Sequence, residues 1–394
     1  VFVGTGAFHG IGNASANTLT GGQGADTLDG DGGDDVLIGA AGNDVLNGGD
    51  GIDRVDYSAA GSAVTVRLDV NRTTTDGEGG VDTLSSIENA DGSAFNDVMF
   101  GSAAANVLRG GLGRDTLLGF GGDDVLIGGD GVANTLQGGL GDDRYVVTAV
   151  GDTVYEVTGE GADTVETTLN GFTLSANVEA LIFTGGGAFT GTGNASDNLI
   201  SGGAAGDLLS GGGGADSLNG GDGDDVLRGG AGLDVLTGGA GYDTLDYSLA
   251  AAATVVRMDL NRTTNDGDGS QDTFTGIETV IGSAFNDVIF GTAAGNVIVG
   301  GAGGDTLLGL GGDDTLIGGS GAANTLQGGL GDDRYIVTAS DTVIEAAGEG
   351  FDTVETTLYS FVLAANVRRP VGRRRERPAD RRHGVGHPEW RSGQ

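Results

Sequence analysis

The stretch Gly21-Gly22-Gln23-Gly24-Ala25-Asp26-Thr27-Leu28-Asp29 sets a nine-residue spelling that restarts without a gap at Gly30, Gly39 and Gly48. In each copy the first six positions are nearly all Gly, Ala, Asp or Asn. These residues tolerate positive φ and close backbone approach, so they predict a turn that exposes several carbonyl oxygens. The last three positions allow only a short strand. Its middle residue, Leu28, Leu37 or Leu46, points to one face while its neighbours point away, as the two-residue period of a strand demands. If two units make one coil, successive coils place strands about 4.8 Å apart in parallel ladders, with the leucines stacked into a narrow apolar spine. The sixth-position aspartates then stack along the edges.

The repetition also runs at a longer period. Asp56-Tyr57-Ser58 recurs as Asp246-Tyr247-Ser248, Asn71-Arg72-Thr73-Thr74 as Asn261-Arg262-Thr263-Thr264, and Gly92-Ser93-Ala94-Phe95-Asn96-Asp97 as Gly282-Ser283-Ala284-Phe285-Asn286-Asp287, each pair 190 positions apart. Gly12-Asn13-Ala14-Ser15 matches Gly193-Asn194-Ala195-Ser196, so the chain reads as starting partway through a unit. Further nonapeptide runs begin at Gly92, Gly193 and Gly282, with degenerate members such as Gly101 to Arg109 and one-residue insertions at Gly128 to Gln137 and Gly318 to Gln327.

The spelling G-G-x-G-x-D-x-U-x, with U a large apolar residue, resembles the RTX or haemolysin-type calcium-binding repeat. The resemblance covers most of residues 12–56, 92–146, 193–246 and 282–336. It implies an all-β fold, a parallel β-roll or β-helix solenoid in two copies of the long unit, in which facing turns share each ion. It also implies a repeat region that stays unfolded in the calcium-poor cytosol, passes through a type I secretion apparatus and folds outside the cell. RTX proteins usually carry an uncleaved secretion signal at the extreme C-terminus, which the last residues here do not resemble.

On this reading the chain divides into β-roll runs at 1–56, 92–146, 193–247 and 282–336, strand-bearing insertions at 57–91 and 248–281, β-rich connecting rungs at 147–192 and 337–367, and an Arg-rich tail, 368–394, expected to be disordered. Within the first insertion, Ala63-Val64-Thr65-Val66-Arg67-Leu68-Asp69-Val70 alternates like a longer strand with one face buried. Tyr145 and Tyr335 occupy the apolar position of the final nonapeptide in their runs, where core or end-capping packing is favoured over ligand stacking.

Acidic side chains outnumber basic ones 56 to 19, giving a formal charge of -37. Such a chain repels phosphate backbones and anionic lipid, which argues against nucleic acid and membrane surfaces as partners. Stacked carboxylates repel by about 1 kcal/mol even in bulk water, so the metal-free solenoid opposes its own closure and a divalent cation relieves it. An all-oxygen, irregular donor set suits calcium better than magnesium, which demands a small octahedron and keeps its waters. The candidate ligands are Asp26, Asp35, Asp44, Asp53, Asp97, Asp115, Asp124, Asp143, Asp207, Asp216, Asp225, Asp234, Asp243, Asp287, Asp305, Asp314 and Asp333. Affinity is expected near the 0.1 to 1 mM that is common for extracellular calcium modules, roughly. Asp266, Asp268 and Asp272 resemble the start of an EF-hand loop, but Ile277 stands where that loop needs its glutamate, so an acidic turn and an extra calcium site both remain open.

A glycine-rich, highly charged chain also has the signature of disorder. The apolar eighth position decides against it, because a merely solubilising sequence has no reason to place Leu, Val or Ile every nine residues; without calcium, disorder is the expectation.

Of 394 residues, 83 are glycine and 13 phenylalanine, so the core must be thin and repetitive. Cysteine is absent, which removes disulfides and thiolate zinc sites. No apolar run approaches the roughly 20 residues that span a bilayer, and Val1-Phe2-Val3 does not open a secretory signal peptide.

No catalytic residues are expected. The GxG strings lack the βαβ context of nucleotide loops, and H-E-x-x-H and G-x-S-x-G are missing. His9, the sole histidine before the tail, reads as an incidental surface residue. A paired-carboxylate glycosidase would need a cleft that a regular roll rarely provides. The region is thus read as a calcium-binding module, or as the spacer, stabiliser or carbohydrate-contacting scaffold of a larger adhesin or secreted hydrolase.

After Asn366-Val367 the match to Asn177-Val178-Glu179 stops. All three prolines and nine of the nineteen arginines lie in 368–394, whose net charge is +6. That tail reads either as the product of a reading-frame shift, which resequencing across codon 367 tests, or as a basic segment docking on the acidic solenoid.

Overall fold

The computed structural model describes residues 1–372 except 3, 339–340, 359–360 and 368, with the side chains of 369–372 also outside the description. The predicted architecture is found: the chain winds as a parallel β-solenoid whose coils repeat every 18 residues. Thr27 pairs with Val45 and Leu28 with Leu46 on one face; Thr18 pairs with Val36 and Leu19 with Leu37 on the other. The one-residue insertions lengthen their coils to 19, so that Thr116 pairs with Thr135 and Thr306 with Thr325.

One face carries a continuous ladder from Thr18–Thr20 through Ala180–Phe183 to Thr342–Val343. The opposite face carries two ladders. The first runs from His9–Asn13 to Thr153–Val154, and the second starts at Gly171–Thr173.

The nonapeptide strands bury their middle residue between half-buried or exposed neighbours, as in Val36–Ile38 and Val45–Asn47. Leu37, Leu108, Leu126, Leu227 and Leu316 are fully enclosed, one per unit, and with their equivalents form a single apolar spine. Tyr145 and Tyr335 extend that spine as fully buried side chains, so their place is in the packing.

The first insertion corrects one expectation. Val64, Val66 and Leu68 are buried in alternation, but the strand ends at Arg67. A 3-10 turn, Leu68–Val70, follows, and Asn71 takes the left-handed conformation (φ 54) that asparagine tolerates. The chain then returns antiparallel as Arg72–Thr75. Val255–Arg257 and Arg262–Asn265 repeat the hairpin around Asn261. The first hairpin joins the interrupted face and the second the continuous one, so the two copies project from opposite sides of the solenoid.

The connecting residues keep the winding: Thr164–Thr167 pairs with Arg144–Val147, and Thr353–Thr356 with Arg334–Val337. Arg369–Gly372 adds a parallel strand to Thr353–Thr356. Residues 373–394 lie outside the described residues. Among the described residues no helix is long and apolar enough to cross a membrane.

Candidate metal centres along the turn edges

Every sixth-position aspartate is buried in its turn, and its two oxygens have different tasks. The Oδ1 atom accepts the backbone N–H of the sixth-position residue one coil earlier. The Asp26 N–H donates to Asp44 (2.7 Å), Asp35 to Asp53 (2.8 Å), Asp124 to Asp143 (2.7 Å), Asp207 to Asp225 (2.7 Å) and Asp314 to Asp333 (2.9 Å). Asparagine serves the same ladder where it replaces aspartate, as when Asp115 donates to Asn134 and Asp305 to Asn324. The carboxylates therefore hold the register of the coil before any ion is considered.

The other oxygen, Oδ2, divides the aspartates into two sets. In Asp35, Asp44, Asp53, Asp115, Asp124, Asp143, Asp216, Asp225, Asp234, Asp243, Asp305, Asp314 and Asp333 it is buried without a hydrogen-bond partner. In Asp26, Asp97, Asp207 and Asp287 it accepts the N–H of the residue four positions earlier, from Gly22, Ser93, Gly203 and Ser283 at 2.5 to 2.6 Å.

The second position of the unit sets the difference. It has positive φ in every turn of the first set, for example Asp31 (73°), Phe120 (76°), Gly221 (108°) and Leu310 (76°). None of Gly22, Ser93, Gly203 and Ser283 is among the positive-φ residues.

The first-position glycine fixes the space around the free oxygen. A Cβ on Gly220 would stand 2.1 Å from Asp225 Oδ2 and 2.6 Å from the carbonyl oxygen of Gly238, one coil ahead. The same pair recurs at Gly119, where the atoms are Asp124 Oδ2 and the Gly138 carbonyl oxygen. An unpaired carboxylate oxygen and a carbonyl oxygen of the next turn thus converge where only glycine fits. That hard, all-oxygen donor set is the kind calcium takes, and a buried oxygen without a partner is costly unless a cation or proton satisfies it.

The electrostatics agree. Burial, opposed by the N–H bond and reinforced by neighbouring carboxylates, pushes Asp44, Asp124, Asp143 and Asp314 up to about 7. It pushes Asp225, Asp305 and Asp333 up to about 6.

The EF-hand-like stretch takes another form. Asp266 Oδ1 accepts the N–H groups of Asp268, Gly269 and Ser270, closing an acidic turn, while Oδ2 is buried and unpaired. Asp268 is exposed. Asp272 belongs to the edge ladder: its Oδ1 accepts Asp234 N–H and its Oδ2 the Tyr247 hydroxyl.

Its counterpart Asp82 does the same with Asp44 and Tyr57, although the sequence reading passed it over. The signal was there, since Asp82 precedes the buried Leu84 by the usual two residues. Also missed were Asp163 and Asp352, which precede the buried Val165 and Val354 by the same two residues, and the buried Glu156 and Glu345, which no nonapeptide count would select.

Known proteins are consistent with this geometry. A sequence profile of the RTX calcium-binding nonapeptide repeat (4 copies) matches in overlapping stretches over 11–55, 76–154, 190–245 and 272–323, more than half of the chain. The chain belongs to the RTX calcium-binding repeat family. Its nonapeptides bind calcium, and the stretches from 76 and 272 bring Asp82 and Asp272, which precede the strands Thr83–Ser85 and Thr273–Thr275, into the RTX pattern.

The endo-1,3-1,4-beta-glycanase ExsH of Rhizobium meliloti (strain 1021) is 44% identical to this RTX chain over 87 residues, 22% of the chain and 18% of that protein. The shared part is less than a fifth of the glycanase and does not establish an enzyme activity here.

Proposed function

We propose that this region is a calcium-triggered folding module of an exported bacterial protein, with no catalytic role of its own. In calcium-poor cytosol it is an extended chain fit for a type I secretion apparatus; outside, calcium closes the roll. The observation that carries this reading is the set of thirteen sixth-position aspartates whose Oδ2 is buried and unpaired, each an unmet charge at a turn edge. Calcium is assigned to eleven of those turns by the carboxylate and the next turn's carbonyl alone; the other two, at Asp143 and Asp333, adjoin further buried carboxylates. Asp26, Asp97, Asp207 and Asp287, whose second oxygen is held by a backbone N–H, are assigned to ion-free turns.

The test is far-UV circular dichroism during a calcium titration, with magnesium as control. A large gain of β signal in calcium alone is expected; equal β content in chelator and in millimolar calcium would overturn the proposal.

The similarity to a named glycanase supports a second reading, in which the roll is the spacer or stabiliser of a larger secreted hydrolase or adhesin. A glycan-binding assay on this region separates a passive spacer, which retains no glycan, from a carbohydrate-contacting scaffold, which does.

A further inference from the structure

At the end of the second nonapeptide run the pattern of one carboxylate per turn changes. Asp143 closes the last regular turn, and the next turn on the same edge brings Asp163, sixth residue of the degenerate unit Thr158 to Glu166, together with Glu156, which belongs to no nonapeptide. One oxygen from each of Asp143, Glu156 and Asp163 lies within 4.8 Å of the others, and all three residues are buried. The remaining oxygens are committed: Asp143 Oδ1 accepts Asp124 N–H (2.7 Å), Asp163 Oδ1 accepts Asp143 N–H (2.9 Å), and Glu156 Oε1 accepts Gly138 N–H (3.3 Å). Asp143 Oδ2, Glu156 Oε2 and Asp163 Oδ2 are left buried without any partner, on side chains no more than 4% exposed.

The arrangement recurs at the end of the fourth run. Asp333, Glu345 and Asp352 form the same buried group, with Asp333 Oδ2 and Glu345 Oε2 unpaired. In both copies a tyrosine of the spine ends at the group. Tyr145 and Tyr335 accept the N–H of Gly138 and Gly328 at 2.7 and 2.6 Å, and the Tyr335 hydroxyl donates to Glu345. A Cβ on Gly138 would stand 1.9 Å from Asp143 Oδ2 and 2.5 Å from the Tyr145 hydroxyl oxygen. Among the described residues these are the two places where three carboxylates crowd so closely.

We infer that Asp143–Glu156–Asp163 and Asp333–Glu345–Asp352 are two terminal cation sites, each holding one hard ion of the calcium class between the last nonapeptide turn and the first connecting turn. They differ from the nonapeptide centres in donor set, because a glutamate from outside the repeat takes the place that the next turn's glycine carbonyl fills elsewhere. Three carboxylates against one ion leave the site negative when filled, which favours an ion of higher charge and makes terbium(III) a suitable probe. Tyr145 and Tyr335 place an excitable ring beside the site, whereas the regular centres have leucine or valine at that position, and Tyr57 and Tyr247 stand near only those of Asp44 and Asp234.

The experiment uses the full chain. Calcium bound at saturation is counted by equilibrium dialysis for the unsubstituted protein and for Glu156→Gln/Glu345→Gln, in which Gln retains the acceptor for Gly138 N–H. Two fewer ions with an unchanged β signal are expected; an equal count in a folded variant overturns the inference.

Should that variant fail to fold, Tyr145→Phe/Tyr335→Phe decides. Terbium emission excited through tyrosine is expected to fall by half or more, and undiminished emission overturns the sites. An unsubstituted chain that binds no calcium at all overturns both this inference and the folding-module reading. A normal calcium-induced transition with an unchanged ion count overturns this one alone.

Discussion

At the scale of single residues, the turn depends on two positions with opposite demands. The first position admits no Cβ. Gly220→Ala would drive a methyl to 2.1 Å from Asp225 Oδ2, and the neighbouring atom on the other side is backbone, which cannot swing away. A loss of about 1–3 kcal/mol is expected from such overpacking. Thermal melts in calcium should show it, while Gly186→Ala, with nothing within 4 Å of the added atom, should leave the midpoint in place.

The second position demands positive φ, and Leu310 supplies it (φ 76°) although a branched side chain resists that conformation. Leu310→Gly should therefore stabilise by about 1 kcal/mol, the order of the left-handed penalty it removes. A lowered midpoint would show that the side chain's contacts outweigh the strain.

The aspartates were legible in the sequence because a carboxylate at a fixed offset from a buried apolar residue falls on the turn edge of every coil. Which of them keep a free oxygen was not legible, because φ at the second position goes with stacking on the preceding coil: Gly22 and Gly221 have the same spelling, and only Gly221 has positive φ.

At the scale of the strand, each three-residue rung is too short to be stable alone, and only stacking buries its central residue. Leu227 is fully enclosed between Leu209 and Leu245 in its ladder. Leu227→Ala is expected to cost about 2–5 kcal/mol, as deletion of an enclosed leucine does. In a stack held by nearest neighbours the loss should stay local. Hydrogen exchange should quicken most in the rungs around 208–213 and 244–246 and least near 27–31; uniform acceleration along the chain would argue for one cooperative unit.

The period-two alternation made the rungs readable. The hairpins were half readable: the buried face of Val64 and Val66 was apparent, but the reversal depends on one left-handed asparagine, which a hydrophobic pattern does not encode.

At the scale of the whole molecule, the proposed sites would make protons and calcium competitors for the same oxygens, and this fixes the sign of the expected pH dependence. In the folded, calcium-free chain burial lifts Asp44, Asp124, Asp143 and Asp314 to about 7, from the ordinary aspartate value of 3.8. A group whose pKa is raised on folding binds its proton more tightly in the folded state. Its contribution to stability is therefore complete below the unfolded value and is lost as pH rises through the folded one. The calcium-free protein should accordingly gain β structure on acidification from pH 8 towards pH 4, with most of the change across the interval from about 7 to 4.

In excess calcium the ion supplies the positive charge instead, so the fold should already be complete at pH 8. The calcium concentration needed for half-folding should rise as pH falls from 7 to 5, because each ion must then displace protons. Circular dichroism of metal-depleted protein across this range, beside calcium titrations at three pH values, measures both effects. A calcium-free signal that stays flat from pH 8 to 4 would mean that the stacked carboxylates are not what keeps the empty roll open.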